Sequence, residues 1–216
     1  MTHLKIGLLG KEAEHYKNAF PEHDITVLDT HEQISTDYAL VFCLSYPSII
    51  PETYLERPSH GVFVNHSSDL PYGRGWAPLQ WSVLAELKDV TVTIFKAVSA
   101  CDAGPWAFKD SYPIAAHDTI ATLYDKDQVV STALFHKLID AVLKGALTVH
   151  EQVGEPTYWA RRTPESSRLD TGKTLDELWD HIRICDNRDY PAFFEVNGRK
   201  VFLRYEVLPH VKKAEE

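Results

Sequence analysis

The segment Gly61-Val62-Phe63-Val64-Asn65-His66 decides the fold, because an apolar strand in it ends in two polar side chains. Similar apolar runs precede it at residues 4–10, 24–28 and 39–44, with polar, helix-like segments between them. Continuous apolar strands that alternate with helices predict a parallel sheet covered on both faces. We therefore expect an α/β fold with a Rossmann-like, open and mostly parallel sheet flanked by helices. Its functional site should lie at the carboxyl ends of the strands.

Further elements follow this segment. The pattern predicts strands at residues 90–95 and 106–113, and helices at residues 77–87 and 129–147. Asp118 is placed to cap another helix that begins near Thr119. We expect residues 1–150 to form one catalytic domain.

Residues 151–216 are expected to form a small C-terminal extension with a helix and a β-hairpin. A connector rich in Arg, Pro, Ser and Thr leads to a predicted helix at residues 174–185. The dipeptide Asn197-Gly198 is a strong signal for a hairpin turn within residues 192–207. The terminal residues 212–216 are expected to fray.

Composition excludes several classes of protein. The chain has 216 residues, of which 44% are hydrophobic and 25% charged, and its net charge is -9. No apolar run is long enough for a membrane span, and the start of the chain lacks the pattern of a signal peptide. Cys43, Cys101 and Cys185 form neither a disulfide framework nor a metal pair, which favours a reducing cytoplasm. The acidic balance disfavours nucleic acid as a partner.

Two polar islands carry candidate chemistry. The first is Val64-Asn65-His66-Ser67-Ser68-Asp69-Leu70-Pro71-Tyr72-Gly73-Arg74-Gly75-Trp76-Ala77-Pro78-Leu79-Gln80-Trp81, and the second is Ser99-Ala100-Cys101-Asp102-Ala103-Gly104-Pro105-Trp106. Taken alone, a histidine at a strand end is more often structural than catalytic, and Asp-x-Gly is usually a plain turn. The pair Gly7 and Gly10 lacks the spacing of a dinucleotide-binding loop, so no nicotinamide or flavin site is predicted.

Together the two islands resemble the folate-dependent formyltransferases. That family carries His-x-Ser-x-Leu-Pro, then Arg-Gly and Pro-Leu-Gln-Trp, and the chain matches these at His66, Arg74 and Pro78. Residues 44–51, 112–126 and 161–194 are similar to further family segments. A short subgroup associated with formylation of amino sugars resembles the chain more closely, through its Ser-Asp-Leu-Pro-x-Gly-Arg-Gly-Trp segment.

The resemblance implies transfer of a formyl group from N10-formyltetrahydrofolate to an amine, without a metal or a covalent enzyme intermediate. His66 would act on the proton of the amine or stabilise the oxyanion, and Asp102 would orient it or relay the proton. Asn65 would donate an amide N–H to the oxyanion. The family places its asparagine two residues before the histidine, whereas Asn65 directly precedes it. Successive strand residues face opposite sides of a sheet, so the displacement matters.

The resemblance also implies binding residues for the folate. They are Ser45, Tyr46, Ser48, Ile49, Ile50, His117 and Asp118. For a nucleotide-linked amino sugar, arginines suit the phosphates and aromatic rings suit stacking. The candidates for the acceptor are Arg74, Trp76, Trp81, Arg161 and Arg162.

Alternative functions stay open at this point. The chain could act on methionyl-tRNA or another amine, hydrolyse formyltetrahydrofolate, or bind folate without catalysis. The tRNA enzymes carry a longer, basic C-terminal domain, so the acidic charge of this chain and its length after residue 150 favour a small-molecule acceptor. A homodimer is compatible with the predicted hairpin.

Overall fold

The computed structural model describes residues 3–208, and a six-stranded sheet runs through its centre. The strands of this sheet are β1 (Lys5–Leu9), β2 (Asp24–Leu28), β3 (Leu40–Cys43), β4 (Val62–His66), β6 (Asp89–Lys96) and β7 (Trp106–Pro113). Two further two-stranded sheets contain β5 (Arg74–Gly75) with β8 (Tyr158–Trp159) and β9 (Ala192–Val196) with β10 (Arg199–Leu203). The predicted tail at residues 212–216 lies outside the described residues.

Helices cover the sheet on its two faces. They are α1 (Ala13–Tyr16), α2 (Glu52–Leu55), α3 (Pro78–Leu84), α4 (Ile120–Leu143) and α5 (Leu175–Arg183). Within residues 3–208, none of these helices combines the length and apolar content needed to cross a membrane.

One strand of the central sheet, β6, runs against the others. The order is β2-β1-β3-β4-β6-β7. The first four strands pair in parallel, whereas β6 is antiparallel to both β4 and β7. The predicted α/β fold with a mostly parallel, open sheet is therefore confirmed. The carboxyl ends of β1, β3 and β4 lie at the same edge, as required for a shared site.

The side chains of β4 show how the sheet separates two apolar cores. Phe63 packs in the larger core with Leu134 and Phe135 of α4. Its neighbour Val62 packs on the opposite face with Leu9 and other residues. This alternation follows from the pleat of a strand, in which successive side chains point to opposite faces. The same alternation continues into Asn65 and His66.

Helix α4 differs from the prediction of two separate helices. A single helix of 24 residues covers Ile120–Leu143, because residues 126–128 contain neither Gly nor Pro to break it. The prediction that Asp118 caps the helix is wrong, since the side chain of Thr119 accepts the capping bond from the Thr122 N–H. The carboxylate of Asp118 instead accepts a hydrogen bond from the Ala115 N–H at 2.6 Å.

The C-terminal elements form a smaller core of their own. Leu169, Leu178, Ile182, Cys185 and Ala192 pack together there. The predicted hairpin is present as β9 and β10, and both turn residues, Asn197 and Gly198, have positive φ angles of 50° and 71°. Such a pair of angles matches the right-handed twist of the two strands. The domain boundary after residue 150 stays a prediction.

Candidate active site

A cavity of about 460 Å³ opens where the parallel strands end. Lys11 and Glu12, which follow β1, contribute to its wall, as do residues 45–50 after β3 and Asn65, His66 and Ser67 at the end of β4. Residues 75–80 and 97–102 close other sides of it. The cavity thus combines apolar walls with a few polar groups that converge on it, which is the usual character of a small-molecule site.

His66 is buried on the cavity wall and has a defined ring orientation. Its Nε2 lies 2.8 Å from the carbonyl oxygen of Gly73, which can only accept, so Nε2 donates its hydrogen there. In the neutral ring, Nδ1 is therefore the free acceptor. Nδ1 lies 3.9 Å from Oδ2 of Asp102, too far for a direct hydrogen bond. In the protonated ring each nitrogen carries one hydrogen, so Nε2 still donates to Gly73 while the Nδ1–H faces the Asp102 carboxylate.

Asp102 sits in a strained loop that several hydrogen bonds hold in place. Its φ angle is +49°, a left-handed conformation that is uncommon for aspartate. The Gly75 N–H donates to its Oδ2 at 2.8 Å. Gln152 donates from Nε2 to the carbonyl oxygens of Asp102 and Gly104, both at 2.8 Å. Gln152 thereby fixes the loop from outside the two polar islands.

Asn65 points away from His66, as expected for neighbours on a strand. Its Nδ2 donates to the hydroxyl of Ser131 on α4 at 3.2 Å. Both residues nevertheless line the cavity, because β4 ends at its edge. The displaced asparagine therefore reaches the site from the α4 side of the sheet.

The predicted folate-binding residues after β3 all line the cavity. These residues are Ser45, Tyr46, Ser48, Ile49 and Ile50. Ser45 has a positive φ of 56°, and its hydroxyl donates to Glu12 Oε1 at 2.8 Å. Ile49 is exposed to the solvent, while Ile50 is buried.

His117 and Asp118 do not lie on this cavity. His117 is exposed, and the buried Asp118 accepts a hydrogen bond from Lys126 Nζ at 2.6 Å. Burial alone would raise the pKa of Asp118, but the bonds from Lys126 and the Ala115 N–H lower it below its ordinary value. Asp118 thus stabilises the start of α4, and the structure gives it no contact with the cavity.

The five candidates for acceptor binding separate into two groups. Trp76 and Arg161 line the cavity, and the guanidinium of Arg161 lies 4.7 Å from the Trp76 ring centre. Arg74, Trp81 and Arg162 lie outside it. Arg74 donates twice to Gln152 Oε1, at 2.6 and 3.1 Å. Trp81 donates to the carbonyl oxygen of Ala160 at 2.9 Å, and Arg162 donates to that of Ser166 at 2.8 Å.

The cysteines near the cavity are protonated at neutral pH. Burial raises the pKa of the Cys43 thiol to about 12. Desolvation and then the neighbouring Asp102 carboxylate raise the pKa of Cys101 to about 11. A thiol in this state is a poor nucleophile. Among residues 3–208, no three His, Cys, Asp or Glu side chains converge in a way that could hold a metal ion.

Comparison with known proteins decides the family. Residues 6–150 match the family model described as formyl transferase. The chain belongs to this family. Among curated relatives, a methionyl-tRNA formyltransferase from Bartonella henselae is 33% identical over 152 residues, which cover 70% of this chain and 48% of that protein. The chain therefore spans about half the length of the curated relatives it matches.

Solved structures share the fold of this formyl transferase chain over most of its length. A methionyl-tRNA formyltransferase from Clostridium thermocellum has a TM-score of 0.79 and 22% identity, with 95% of this chain and 94% of that chain covered. The formyltransferase PseJ from Anoxybacillus kamchatkensis has a TM-score of 0.63 and 24% identity, with 74% and 87% covered. Its structure is a complex with UDP-4,6-dideoxy-4-formamido-L-AltNAc and tetrahydrofolate.

Sequence reasoning missed three residues of the site. Glu12 and Asp127 line the cavity, and Gln152 holds the Asp102 loop. Asp127 and Ser131 had a detectable signal, because they are polar residues four positions apart on the buried face of α4. Gln152 had none, since its partners lie 48 to 78 positions away along the chain.

Proposed function

We propose that the chain transfers a formyl group from N10-formyltetrahydrofolate to the amino group of a nucleotide-linked amino sugar. The observation that carries this proposal is the placement of His66 and Asp102 on one cavity wall, with the free Nδ1 of His66 facing the carboxylate. An attacking amine must lose a proton, and these two groups offer adjacent acceptors for it.

The cavity suits a pterin ring in shape and chemistry. Ile50, Leu55 and Val64 provide an apolar wall for a flat ring, and the backbone of residues 45–48 offers hydrogen-bonding groups at its edge. When bound, formyltetrahydrofolate supplies the formyl carbon that the amine attacks. The residues after β3 would hold the ring so that this carbon lies near His66.

His66 acts in this proposal as the proton acceptor. The carbonyl oxygen of Gly73 fixes its tautomer, so that Nδ1 receives the proton of the attacking amine. His66 would return this proton to the folate nitrogen as the bond between that nitrogen and the formyl carbon breaks. The negative charge of Asp102 then stabilises the imidazolium ring across the gap of 3.9 Å. Neither cysteine takes part, because both thiols keep their protons at neutral pH.

Trp76 and Arg161 form the acceptor end of the site. Their stacked pair lies on the cavity rim, with the Trp76 side chain 44% exposed. An exposed indole ring can stack on a nucleobase, and a guanidinium can bind a diphosphate. The chain's net charge of -9 also favours a small acceptor over a long polyanion.

Methionyl-tRNA is the second candidate acceptor, because the curated relatives are methionyl-tRNA formyltransferases. Water is a third, in which case the chain would hydrolyse the folate and release formate. Formate release that does not depend on an amine would identify this hydrolase activity.

Two variants test the proposed catalytic groups. His66→Ala and Asp102→Ala should each reduce formyl transfer by about 10²-fold or more, as expected for loss of general acid–base catalysis. Thermal unfolding of the purified variants checks that the fold is intact. Full activity in both folded variants would contradict the assignment.

A further inference from the structure

A buried polar cluster lies beneath the cavity, between β4, β7 and α4. Asp127 is only 7% exposed, and Ser131, one turn later on α4, is fully buried. The Tyr112 hydroxyl shares its one proton between the carbonyl oxygen of Leu123 at 3.2 Å and Asp127 Oδ1 at 3.3 Å. The Ser131 hydroxyl lies 3.5 Å from Oδ2, to which it donates. Asn65 joins the cluster through its bond to Ser131. None of the catalytic steps proposed above uses Asp127.

The cluster contains no basic group that neutralises Asp127. Among the described residues, the ion pairs do not include Asp127, and hydroxyls supply its hydrogen bonds. The ionisable groups that face it are Glu12 before α1, Tyr16 of α1, Tyr112 of β7 and Tyr124 of α4. Tyr16 also hydrogen-bonds Ser131, and Ser67 after β4 adds another hydroxyl. Burial raises the pKa of Asp127 to about 6, so its proton exchanges near neutral pH.

The protonation state of Asp127 determines which hydrogen bonds the Ser131 hydroxyl donates and which it accepts. A hydroxyl has one proton to donate. While Asp127 is ionised, Ser131 donates to its carboxylate and must accept from Asn65 Nδ2. The amide of Asn65 is then fixed with its nitrogen towards α4. When Asp127 is protonated, it can donate to Ser131, and Ser131 can donate to Asn65 Oδ1, which reverses the amide.

We propose that Asp127 is a positioning residue that acts through Ser131 to hold the Asn65 carbonyl oxygen towards the cavity. There Oδ1 accepts a hydrogen bond from the incoming amine and directs it to the formyl carbon, in place of the N–H donation to the oxyanion that the family resemblance implies, because Nδ2 is bound to Ser131. The catalytic part of this inference rests on the proposed formyl transfer. The orientation of Asn65 can be tested without it.

Side-chain amide NMR tests the orientation directly. The Asn65 NH₂ signal, identified by its loss in Asn65→Asp, should change between pH 5 and 8 in a single transition near pH 6. Asp127→Asn should abolish this transition. Asp125→Asn, an exposed site on the same helix, serves as the matched control and should preserve it. A transition that persists in folded Asp127→Asn, or its absence from the wild type, would overturn the proposal.

Kinetics with a double-mutant cycle test the consequence for catalysis. Asp127→Asn and Ser131→Ala should each reduce kcat for formyl transfer by about ten- to a hundredfold with little change in KM for folate. Ser131→Thr, which keeps the hydroxyl, should restore most of the rate. In an Asn65→Ala background, Asp127→Asn should cause no further loss, because the two residues act as a unit.

Additive effects of Asn65→Ala and Asp127→Asn would overturn the coupling. Thr132→Val, whose hydroxyl bonds only to the backbone of its own helix, is the control for Ser131. If the wild type transfers no formyl group but the NMR transition follows Asp127, the proposed function fails while the orientation of Asn65 stands.

Discussion

Asp127 shows how a single residue can link the stability of the fold to its candidate site. A carboxylate with only hydroxyl partners is costly to bury, which is why its pKa lies at about 6 rather than at 3.8. The folded chain therefore binds this proton more tightly than the unfolded chain does. The stabilising effect of the protonated group is fully present below about pH 4. It is lost as the pH rises through 6.

Asp127→Asn should therefore gain stability relative to the wild type as the pH rises. The difference in the free energy of unfolding should grow by about 2 kcal/mol between pH 4 and pH 8. Urea unfolding at both pH values measures it. Asp125→Asn should show no comparable change, and a flat difference for Asp127→Asn would mean that Asp127 is not held in this unfavourable state.

Single residues also mark the limit of prediction from sequence. The placement of His66 and Asp102 on one cavity was predictable because their motifs are local. The positions of Arg74 and Trp81 outside the cavity were not, since their hydrogen-bond partners lie 78 and 79 positions away along the chain. Arg74 is bound by Gln152, which is 78 positions away. Spacing cannot show which guanidinium is bound in this way and which, like Arg161, reaches the cavity.

At the scale of elements, the cavity is enclosed by segments with strained backbones. Five residues other than glycine have positive φ angles within residues 3–208, and Ser45, Ala77 and Asp102 among them line the cavity. Such conformations persist only where surrounding contacts impose them. Strand β5 pairs with β8, which places Gln152 and the segment after it beside the Asp102 loop.

Gln152→Glu should disturb this loop more than its small change in size suggests. A glutamate has no N–H for the carbonyl oxygens of Asp102 and Gly104, and its charge would repel them. We expect formyl transfer to fall at least about tenfold, equal to about 1.4 kcal/mol of transition-state stabilisation. Glu151→Gln, at the exposed neighbouring position, is the control. Equal rates for the two variants would contradict the role given to Gln152.

Helix α5 is attached to the start of α4 by one buried arginine. Arg183 donates to the carbonyl oxygens of Ala115 and Asp118 at 3.1 and 2.9 Å, and to Asp180 at 2.6 Å. Arg183→Ala should reduce the free energy of unfolding by about 3 kcal/mol, because it leaves buried acceptors without a partner. Arg188→Ala, at an exposed site, should change it little. Chemical unfolding of both variants compares them, and equal stabilities would contradict this attachment.

Element boundaries followed sequence patterns where these were strong. Strands β2 and β7 begin and end as predicted, since apolar periodicity and flanking polar residues define them. Helix α4 was predicted in two parts because polar residues 125–128 interrupt its apolar stripe. One of those residues is Asp127, which is buried as part of the polar cluster. A buried carboxylate on the apolar face of the helix therefore interrupted the sequence pattern without interrupting the helix.

For the whole molecule, the open question is which amine enters the cavity. Sequence relatives point to methionyl-tRNA, whereas the acidic charge and the Trp76–Arg161 pair favour a nucleotide-linked sugar. The two candidate acceptors, methionyl-tRNA and a nucleotide-linked sugar, differ most in charge. Binding of a long polyanion should weaken steeply with added salt, while binding of a nucleotide sugar should depend on it far less.

The most direct test of the proposed function is to identify the amine that the chain formylates. The chain is incubated with N10-formyltetrahydrofolate and either a panel of amino-sugar nucleotides or methionyl-tRNA, and the products are followed by mass spectrometry. We predict that at least one amino-sugar nucleotide gains a formyl group with the wild type and not with His66→Ala. Formylation of methionyl-tRNA alone, or of no acceptor at all, would contradict the account.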